Sequence, residues 1–268
     1  MPVEPRETIA TTTKNATGTS NEITRILTNT AADIAVYKTF IPPSAVELSL
    51  VQQLLRLCEE HAVPYTFSTI AALRFLRDKR KNVPLALEAM KKHAHWRLDN
   101  DVDNITAESV DSELRKKVLF QHGVDRSGRP VLYGIARYHD ASHRDVETLK
   151  RMIIYNLETA MKLANPDEQR LTIVADLSQF SLRNMDYEIT RAAVSILQAN
   201  YPETMHVTLV CNAPFIFNAC YSIIRPWLDP VTAAKVAFIR VNKLHEYVDL
   251  VEVPPDCLGV VREHHVRT

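Results

Sequence analysis

The chain has 268 residues, with 32 Lys and Arg side chains against 32 Asp and Glu side chains and a pI near 7.2. This balance excludes a general nucleic-acid binder, which would show an excess of positive charge. The hydrophobic fraction of 46% and the charged fraction of 24% are ordinary for a globular protein. A chain of this length can bury a large core, in one domain or in one domain with a small helical one beside it.

The cysteines are dispersed and form no Cys-x-x-Cys pair; they are Cys58, Cys211, Cys220 and Cys257. This pattern predicts buried free thiols in a reducing compartment rather than disulfides or a zinc site. No secretory apolar segment stands at the N-terminus, and no apolar run approaches the length that spans a bilayer. We therefore expect a cytoplasmic protein whose contact with membranes is peripheral and transient.

Residues 1–40 are rich in Thr, Asn and Ala and poor in large apolar residues, which predicts a disordered N-terminal tail. Ser44 and Glu47 then have the spacing of a capping box at a helix N-terminus. Three helices before any strand predict a small helical domain over residues 41–100. Helical spacing selects their candidate core residues: Val46, Leu50, Leu54 and Leu57 in the first, Ile70, Leu73, Phe75 and Leu76 in the second, and Leu85, Ala89 and Trp96 in the third, predicted over 85–96.

The second of these helices closes with five cations, which are Arg74, Arg77, Lys79, Arg80 and Lys81. Positive charge at the C-terminus of a helix is stabilised by the helix dipole. The composition alone therefore indicates a solvated, favourably charged helix end.

From residue 118 onward, apolar runs of strand length alternate with amphipathic helical segments. The predicted order is strand, strand, helix, strand, helix, strand, helix and strand, over residues 118–120, 131–136, 149–163, 171–177, 189–197, 207–210, 215–224 and 236–239. Such alternation predicts an α/β domain over residues 101–262 with a mostly parallel sheet and crossover helices. A last helix is predicted over residues 244–251.

The stretch between Tyr201 and Ile239 contains a helix that is apolar on nearly every face, predicted over residues 215–224. A surface helix normally keeps one polar face, so both sides of this one must meet apolar material. It is either a buried core helix of an ordinary α/β domain or a mobile wall. In the second case one face lines an apolar cavity and the other touches a bilayer.

Motifs of catalysis and nucleotide binding are absent from the sequence. The five glycines form no G-x-G-x-x-G loop, and Gly123 and Gly128 are followed by Arg129-Pro130 instead of the Lys-Ser/Thr of a phosphate-binding loop. No G-x-S-x-G elbow occurs. Asp176, at the end of a predicted strand, is either a catalytic acid or the cap of the following turn. His93, His95, His139, His143, His264 and His265 are predicted to be single surface residues rather than metal ligands. With no catalytic motif either, we expect no enzyme and no metal site.

Several motifs together resemble the CRAL-TRIO lipid-binding family, and most closely its phosphatidylinositol/phosphatidylcholine transfer branch. They are LRFLRDKRKNV, a helix ending HWR, DRSGRPV, YPETM, NAPFIF, RPWLDPVTAAK and PPDCLG, and the resemblance covers roughly residues 46–260. The resemblance implies a helical N-terminal domain and an α/β domain with a deep apolar pocket. It also implies a helical gate that closes over one enclosed lipid, and it assigns that role to the apolar helix.

The resemblance also implies site residues. Glu203 and Lys235 match the pair of the family that binds the inositol phospholipid, a Lys for the phosphodiester and a Glu for the inositol hydroxyls. Thr232 adds a hydroxyl, and Lys79 stands where the family has an arginine that faces the phosphate. The pocket and gate residues are Phe215, Phe217, Tyr221 and Trp227.

The positions that bind phosphatidylcholine in this family differ here. Leu171 and Ile173 replace hydroxyl residues on one strand, and Gln121 and Asn156 replace tyrosines that contact choline. These departures weaken the expectation of phosphatidylcholine exchange, and of a haem-binding variant that would need His or Tyr on that strand.

The sequence therefore predicts a phosphatidylinositol transfer protein that extracts, encloses and exchanges one phospholipid between membranes. The alternative is a sensor or adaptor that binds a sterol or another hydrophobic ligand without net transfer. The expected partners are phospholipid and a membrane surface, with a lipid kinase pathway as a further candidate. We expect a monomer, without nucleic acid and without a cofactor other than the bound phospholipid.

Overall fold

The computed structural model describes residues 40–255 and residue 257. The predicted N-terminal tail therefore lies outside the described residues, except for Phe40. The helices are α1 (Ala45–Glu60), α2 (Thr69–Asp78), α3 (Val83–Asp99), α4 (Asp111–Leu114), α5 (Val146–Leu163), α6 (Tyr187–Asn200), α7 (Phe217–Ile224) and α8 (Pro230–Ala234). The strands are β1 (Leu119–Val124), β2 (Pro130–Ile135), β3 (Leu171–Asp176), β4 (Met205–Cys211) and β5 (Val236–Ile239).

The five strands form one sheet in the order β1-β2-β3-β4-β5. β1 pairs antiparallel with β2, and the three remaining pairings are parallel. Helix α5 connects β2 to β3, α6 connects β3 to β4, and α7 and α8 connect β4 to β5. The predicted α/β class with a mostly parallel sheet is confirmed.

One face of the sheet is closed by the C-terminal segment. Apolar residues of β2, β3 and β4 on this face pack against Leu244, Tyr247 and Val248. The helix predicted over residues 244–251 is wrong, because the chain forms two short 3₁₀ helices, Val241–Glu246 and Leu250–Glu252. Between them Val248 pairs with Asp125 in an isolated β-bridge, and this pairing needs extended backbone.

Helices α1, α2 and α3 share a hydrophobic cluster of their own. The capping box of Ser44 and Glu47 is present, with both reciprocal hydrogen bonds. The predicted core face of α1 is partly wrong, because Val46 is 66% exposed. Val51 and Cys58 are buried on that helix beside Leu54.

Helix α3 begins two residues before the predicted start. The Asn82 side chain accepts a hydrogen bond from the Leu85 amide, and Pro84 fits the first turn, where no intrahelical donor is required. The start therefore shifts to Val83, and Leu85 is 56% exposed rather than buried. The buried side of α3 consists of Val83, Ala86, Leu87, Met90, His93, Ala94 and Arg97, while Ala89 and Trp96 are partly buried.

The last turns of α3 join the helical cluster to the α/β part. Arg97 donates to Glu158 of α5 at 2.9 Å, and the Tyr201 hydroxyl donates to the same carboxylate at 2.6 Å. His93 is buried, so its prediction as a surface residue is wrong. Its Nδ1 lies 3.2 Å from Asn200 Oδ1. Within the described part of the chain, no helix is both long and apolar enough to cross a membrane.

Candidate functional site

The second face of the sheet borders an apolar cavity of about 380 Å³. The sheet contributes residues that alternate along the strands, including Ile173 and Ala175 of β3 and Val210 of β4. Helices α5, α6 and α7 supply most of the remaining wall. Their residues are Leu149, Met152, Ile153, Ile189, Thr190, Ala193, Val194, Leu197, Gln198, Phe217, Tyr221 and Ile224.

Helix α7 covers this cavity with one face and leaves apolar side chains on the other. Phe217, Tyr221 and Ile224 follow helical spacing, are buried and line the cavity. Phe215, just before the helix, is 90% exposed, and Ile223 is also exposed. Helix α7 therefore has the two faces that the wall hypothesis requires, an inner face on a cavity and an outer apolar face.

Aromatic contacts hold the inner face of α7. The rings of Phe217 and Phe180 meet edge to face at 5.3 Å, and those of Tyr221 and Phe238 do so at 4.8 Å. Trp227 lies outside the cavity lining in the described structure. Its ring packs against Tyr187 of α6 at 6.1 Å, and the Arg191 guanidinium lies 5.1 Å from its centroid.

A polar pocket of about 280 Å³ adjoins the apolar cavity. The two share the wall residues Leu197, Gln198, Met205 and Thr232. Lys235 Nζ donates a hydrogen bond to Glu203 Oε2 at 3.1 Å inside this pocket. The predicted pair is therefore in contact, and it lies where polar and apolar spaces meet.

Local turns set the positions of this pair. Glu203 lies between α6 and β4, with a φ of 57° in the left-handed region that non-glycine residues seldom adopt. Lys235 caps the C-terminus of α8 and precedes β5. Its side chain is 8% exposed, so the ammonium group is held in a mostly dry setting.

Thr232 belongs to the capping of α8. Its hydroxyl donates to Asp229 Oδ2 at 2.6 Å, and the Val231 and Thr232 amides donate to Asp229 Oδ1. Burial raises the pKa of Asp229, but the hydrogen bonds from Thr232 outweigh it, and the net pKa is lowered. Thr232 therefore lines both spaces while its own proton is engaged within the protein.

The cations near the pocket differ from those predicted. Arg77 and Arg80 line the polar pocket, whereas Lys79 is not among its lining residues in the described structure. Lys79 pairs instead with Asp78 at 2.8 Å. Arg77 is engaged with Glu47, and its hydrogen bond is the main cause that lowers the pKa of this carboxyl to about 2. Arg80 has no side-chain partner among the described residues.

Asp176 serves the turn after β3. Its carboxylate accepts from the Ser178 amide at 2.9 Å, the Ser178 hydroxyl at 2.6 Å and Arg137 at 2.7 Å. It is fully buried in this network, so the cap interpretation is correct. The four cysteines are free and buried, as predicted. The described residues hold no cluster of His, Cys, Asp or Glu suited to a metal ion.

The positions that depart from the phosphatidylcholine pattern fall in two environments. Ile173 lines the cavity, whereas Leu171 is packed in the core beneath α5 and α6. Asn156 is buried, accepts from the Gln121 amide at 3.1 Å and donates to Met152 O at 2.9 Å. Gln121 and Asn156 therefore serve the packing of α5 on β1.

Gln198 was missed from the sequence. Its amide donates to Trp227 O at 3.1 Å and its carbonyl accepts from the Asp229 amide at 2.7 Å, so that it ties α6 to the loop before α8. A lone Gln near the end of an amphipathic helix carries no sequence signal, because its role depends on a segment about thirty residues away. The same holds for His139 and Asp186, which also line the cavity.

The structure combines an apolar cavity, a covering helix that is apolar on both sides, and an adjoining polar pocket with an ion pair. These features are typical of a lipid-binding protein. A comparison with protein families agrees, because the model of the CRAL/TRIO domain matches residues 114–259, more than half of the chain. The chain belongs to the CRAL-TRIO family of lipid-binding and lipid-transport proteins.

Among curated relatives, a CRAL-TRIO domain-containing protein of Schizosaccharomyces pombe is 35% identical over 205 residues, covering 73% of this chain and 46% of the relative. Phosphatidylinositol transfer protein CSR1 of Eremothecium gossypii is 29% identical over 201 residues, covering 70% and 46%. The chain thus spans about half the length of these curated relatives. The crystal structure of Sfh5 superposes with a TM-score of 0.65 at 16% identity, covering 77% of this chain and 85% of that one, and supports the fold.

Proposed function

We propose that this protein transfers phosphatidylinositol between membranes. The observation that carries the proposal is the Glu203–Lys235 pair, 3.1 Å apart in a polar pocket that shares its wall with the apolar cavity. A headgroup in the pocket would leave its acyl chains directed toward the cavity. The name of the relative CSR1 supports phosphatidylinositol as the cargo.

Each member of the pair has a distinct role in this proposal. Lys235 holds the phosphodiester oxygens, because a compact ammonium group binds phosphate as a point charge. Glu203 accepts hydrogen bonds from the inositol hydroxyls. Without lipid the two side chains satisfy one another, and binding exchanges this internal contact for contacts with the headgroup. Arg80, which lines the same pocket, adds a second positive charge beside the phosphate.

The apolar cavity supplies the driving force for enclosure. Each methylene transferred from water to an apolar wall contributes about 0.8 kcal/mol. The cavity volume of about 380 Å³ lies in the lower part of the range for sites that bind drug-sized ligands. It is smaller than the volume that a diacyl phospholipid occupies. Loading therefore requires α7 to move outward, and its exposed outer residues contact the membrane while it is open. The phospholipid is cargo, and the proposal needs no cofactor and no second copy of the chain.

The test measures transfer of radiolabelled phosphatidylinositol from donor to acceptor vesicles. Glu203→Ala combined with Lys235→Ala should reduce transfer to the rate without protein. The matched control is Lys243→Ala with Glu246→Ala, an exposed pair 2.6 Å apart whose residues line neither the cavity nor the polar pocket. Full transfer by the Glu203 and Lys235 variant would contradict the proposal.

A second candidate is a sensor or adaptor that binds one hydrophobic ligand, such as a sterol, without net transfer. The modest volume of the apolar cavity favours it, because about 380 Å³ suits a single compact apolar molecule better than a diacyl phospholipid. Binding of vesicle lipid by the protein without exchange between vesicles would support this candidate over transfer. A downstream lipid kinase pathway belongs to the transfer proposal alone.

A further inference from the structure

The junction between the apolar cavity and the polar pocket has hydrogen-bonding groups of its own. Four described residues line both spaces: Leu197, Gln198, Met205 and Thr232. Among these four side chains, only those of Gln198 and Thr232 carry a hydrogen that can be donated in a hydrogen bond. A ligand that occupies both spaces crosses the junction beside these two side chains.

The Thr232 hydroxyl has no proton to offer such a ligand. It donates to Asp229 Oδ2 at 2.6 Å, so its remaining capacity is to accept. The Val231 and Thr232 amides are engaged with the other oxygen of the same carboxylate. The donors of the first turn of α8 are therefore committed to the cap of that helix.

Gln198 differs from Thr232, because its Nε2 atom carries two N–H groups. One of them donates to Trp227 O at 3.1 Å, and the second has no partner in the part of the chain that the structure describes. The Oε1 atom accepts from the Asp229 amide at 2.7 Å. The side chain thus keeps one N–H for a ligand while it ties α6 to the loop before α8.

The same two hydrogen bonds fix the orientation of the Gln198 amide group. A flipped amide would set Nε2 against the Asp229 N–H and Oε1 against Trp227 O, which pairs donor with donor and acceptor with acceptor. The second N–H therefore belongs to a group that is already ordered. The side chain loses little conformational entropy when a ligand accepts from it.

The covalent structure of a phospholipid places its ester groups at this junction. Glycerol links the phosphodiester to the two acyl chains. A headgroup beside Glu203 and Lys235, with its chains in the apolar cavity, therefore leaves the esters between the two spaces. An ester carbonyl accepts hydrogen bonds and has no hydrogen to donate. Once it is removed from water it needs a donor from the protein, because an unpaired buried polar group is destabilising.

We propose that Gln198 Nε2 donates its second N–H to an ester carbonyl of the bound phospholipid, so that the protein prefers ester-linked over ether-linked lipid of the same headgroup. A dialkyl ether lipid lacks the carbonyl oxygen and leaves this N–H unpaired. The inference rests on the proposed function, because the headgroup must lie in the polar pocket. It assigns a residue to the glycerol linkage, for which Glu203 and Lys235 have no role.

The test measures binding of two radiolabelled probes to the full chain: diacyl phosphatidylinositol and its dialkyl ether analogue with the same chain lengths. Each probe is supplied at low mole fraction in phosphatidylcholine vesicles. Wild type should bind the diacyl lipid roughly 2- to 10-fold more tightly, as expected for one neutral hydrogen bond. Gln198→Leu should abolish this preference. The control Gln53→Leu, at an exposed position of α1 that lines neither space, should preserve it.

The ratio of the two affinities separates ligand contact from a structural role. A Gln198 side chain that only holds the loop before α8 would, when replaced, weaken binding of both lipids equally and leave their ratio unchanged. Equal affinity of wild type for the two lipids, or a preference that survives in Gln198→Leu, would overturn the proposal.

A second measurement does not depend on whether Gln198→Leu folds. Wild type is loaded with diacyl phosphatidylinositol that carries ¹³C in both ester carbonyls, and its infrared spectrum is recorded. One carbonyl band should lie at lower frequency than the other, because that carbonyl accepts a hydrogen bond. A single band at the frequency of the lipid in an alkane would also overturn the proposal.

Transfer of both lipids between vesicles is measured on the same preparations. If wild type transfers phosphatidylinositol and binds the diacyl and dialkyl forms equally, only the ester contact is contradicted. If wild type prefers the diacyl form in binding and transfers neither lipid, only the transfer proposal is contradicted.

Discussion

The Lys235 ammonium group donates to the Glu203 carboxylate across 3.1 Å, although the two residues are 32 positions apart. The sheet brings them together. Glu203 precedes β4 and Lys235 precedes β5, and the Thr208 amide of β4 donates to Lys235 O at 2.9 Å. The parallel register of two adjacent strands thereby fixes the separation of the side chains, and a helix movement need not disturb it.

This pair should stabilise the fold as well as bind a headgroup. Glu203→Gln leaves a nearly buried ammonium group without its carboxylate, and the free energy of unfolding should fall by about 1–3 kcal/mol. Adding Lys235→Met removes the uncompensated charge and should recover most of this loss. Urea unfolding checks both variants. A double variant less stable than Glu203→Gln alone would contradict the argument, and neither variant should transfer phosphatidylinositol.

Substitution of Arg80 and of Lys79, one at a time, can identify the cation that faces the phosphate of the headgroup. Arg80 lines the polar pocket, while Lys79 is paired with Asp78. Arg80→Ala should therefore lower phosphatidylinositol transfer roughly 10- to 100-fold, as expected for one charge-assisted hydrogen bond, and Lys79→Ala should leave it unchanged. Transfer rates from anionic and neutral donor vesicles separate headgroup binding from general attraction to the membrane. The reverse ranking would restore the role predicted for Lys79.

The fold could be predicted from the sequence because its signals are local. Apolar runs of strand length, amphipathic helices and the Ser44–Glu47 capping box each lie within a few residues. The segment after β5 was mispredicted because Val248 forms a bridge with Asp125, a residue more than a hundred positions away. Local periodicity carries no information about such a pairing.

The candidate site was predictable only in part. The contact of Glu203 with Lys235 followed from a family resemblance rather than from spacing. The polar part of the cavity lining could not be predicted, because His139, Asn184 and Asp186 lie in irregular or capping positions and meet only after β2 and β3 stand side by side. Phe215 and Phe217 look equivalent in the sequence, yet one is exposed and the other buried.

This difference makes Phe215 and Phe217 a matched pair for the role of α7. Phe217→Ala removes a ring from the cavity wall and should reduce the free energy of unfolding by about 3 kcal/mol. Phe215→Ala should change stability by less than about 0.5 kcal/mol, because the side chain is 90% exposed. Phe215→Ala should instead reduce the fraction of the protein that sediments with vesicles. Equal effects of the two substitutions on stability would show that α7 is an ordinary core helix.

The junction between α3 and α6 predicts how stability depends on pH. His93 contacts Asn200 there and is enclosed by the rings of Tyr65, Phe75 and Trp96. Burial lowers the pKa of His93 from 6.5 to about 4, and burial has the same effect on the pKa of His206, also to about 4. Between pH 6.5 and pH 4 the unfolded chain therefore binds protons that the folded chain excludes.

The sign follows from this difference in bound protons: stability is retained above pH 6.5 and falls as the pH decreases toward 4. Each histidine should lower the free energy of unfolding by about 2 kcal/mol between pH 7 and pH 5. His93→Gln keeps a polar group for Asn200 and should remove about half of the total change, whereas His95→Gln, at an exposed position of α3, should remove none. Urea midpoints at the two pH values measure the effect, and an unaltered pH dependence in His93→Gln would refute it.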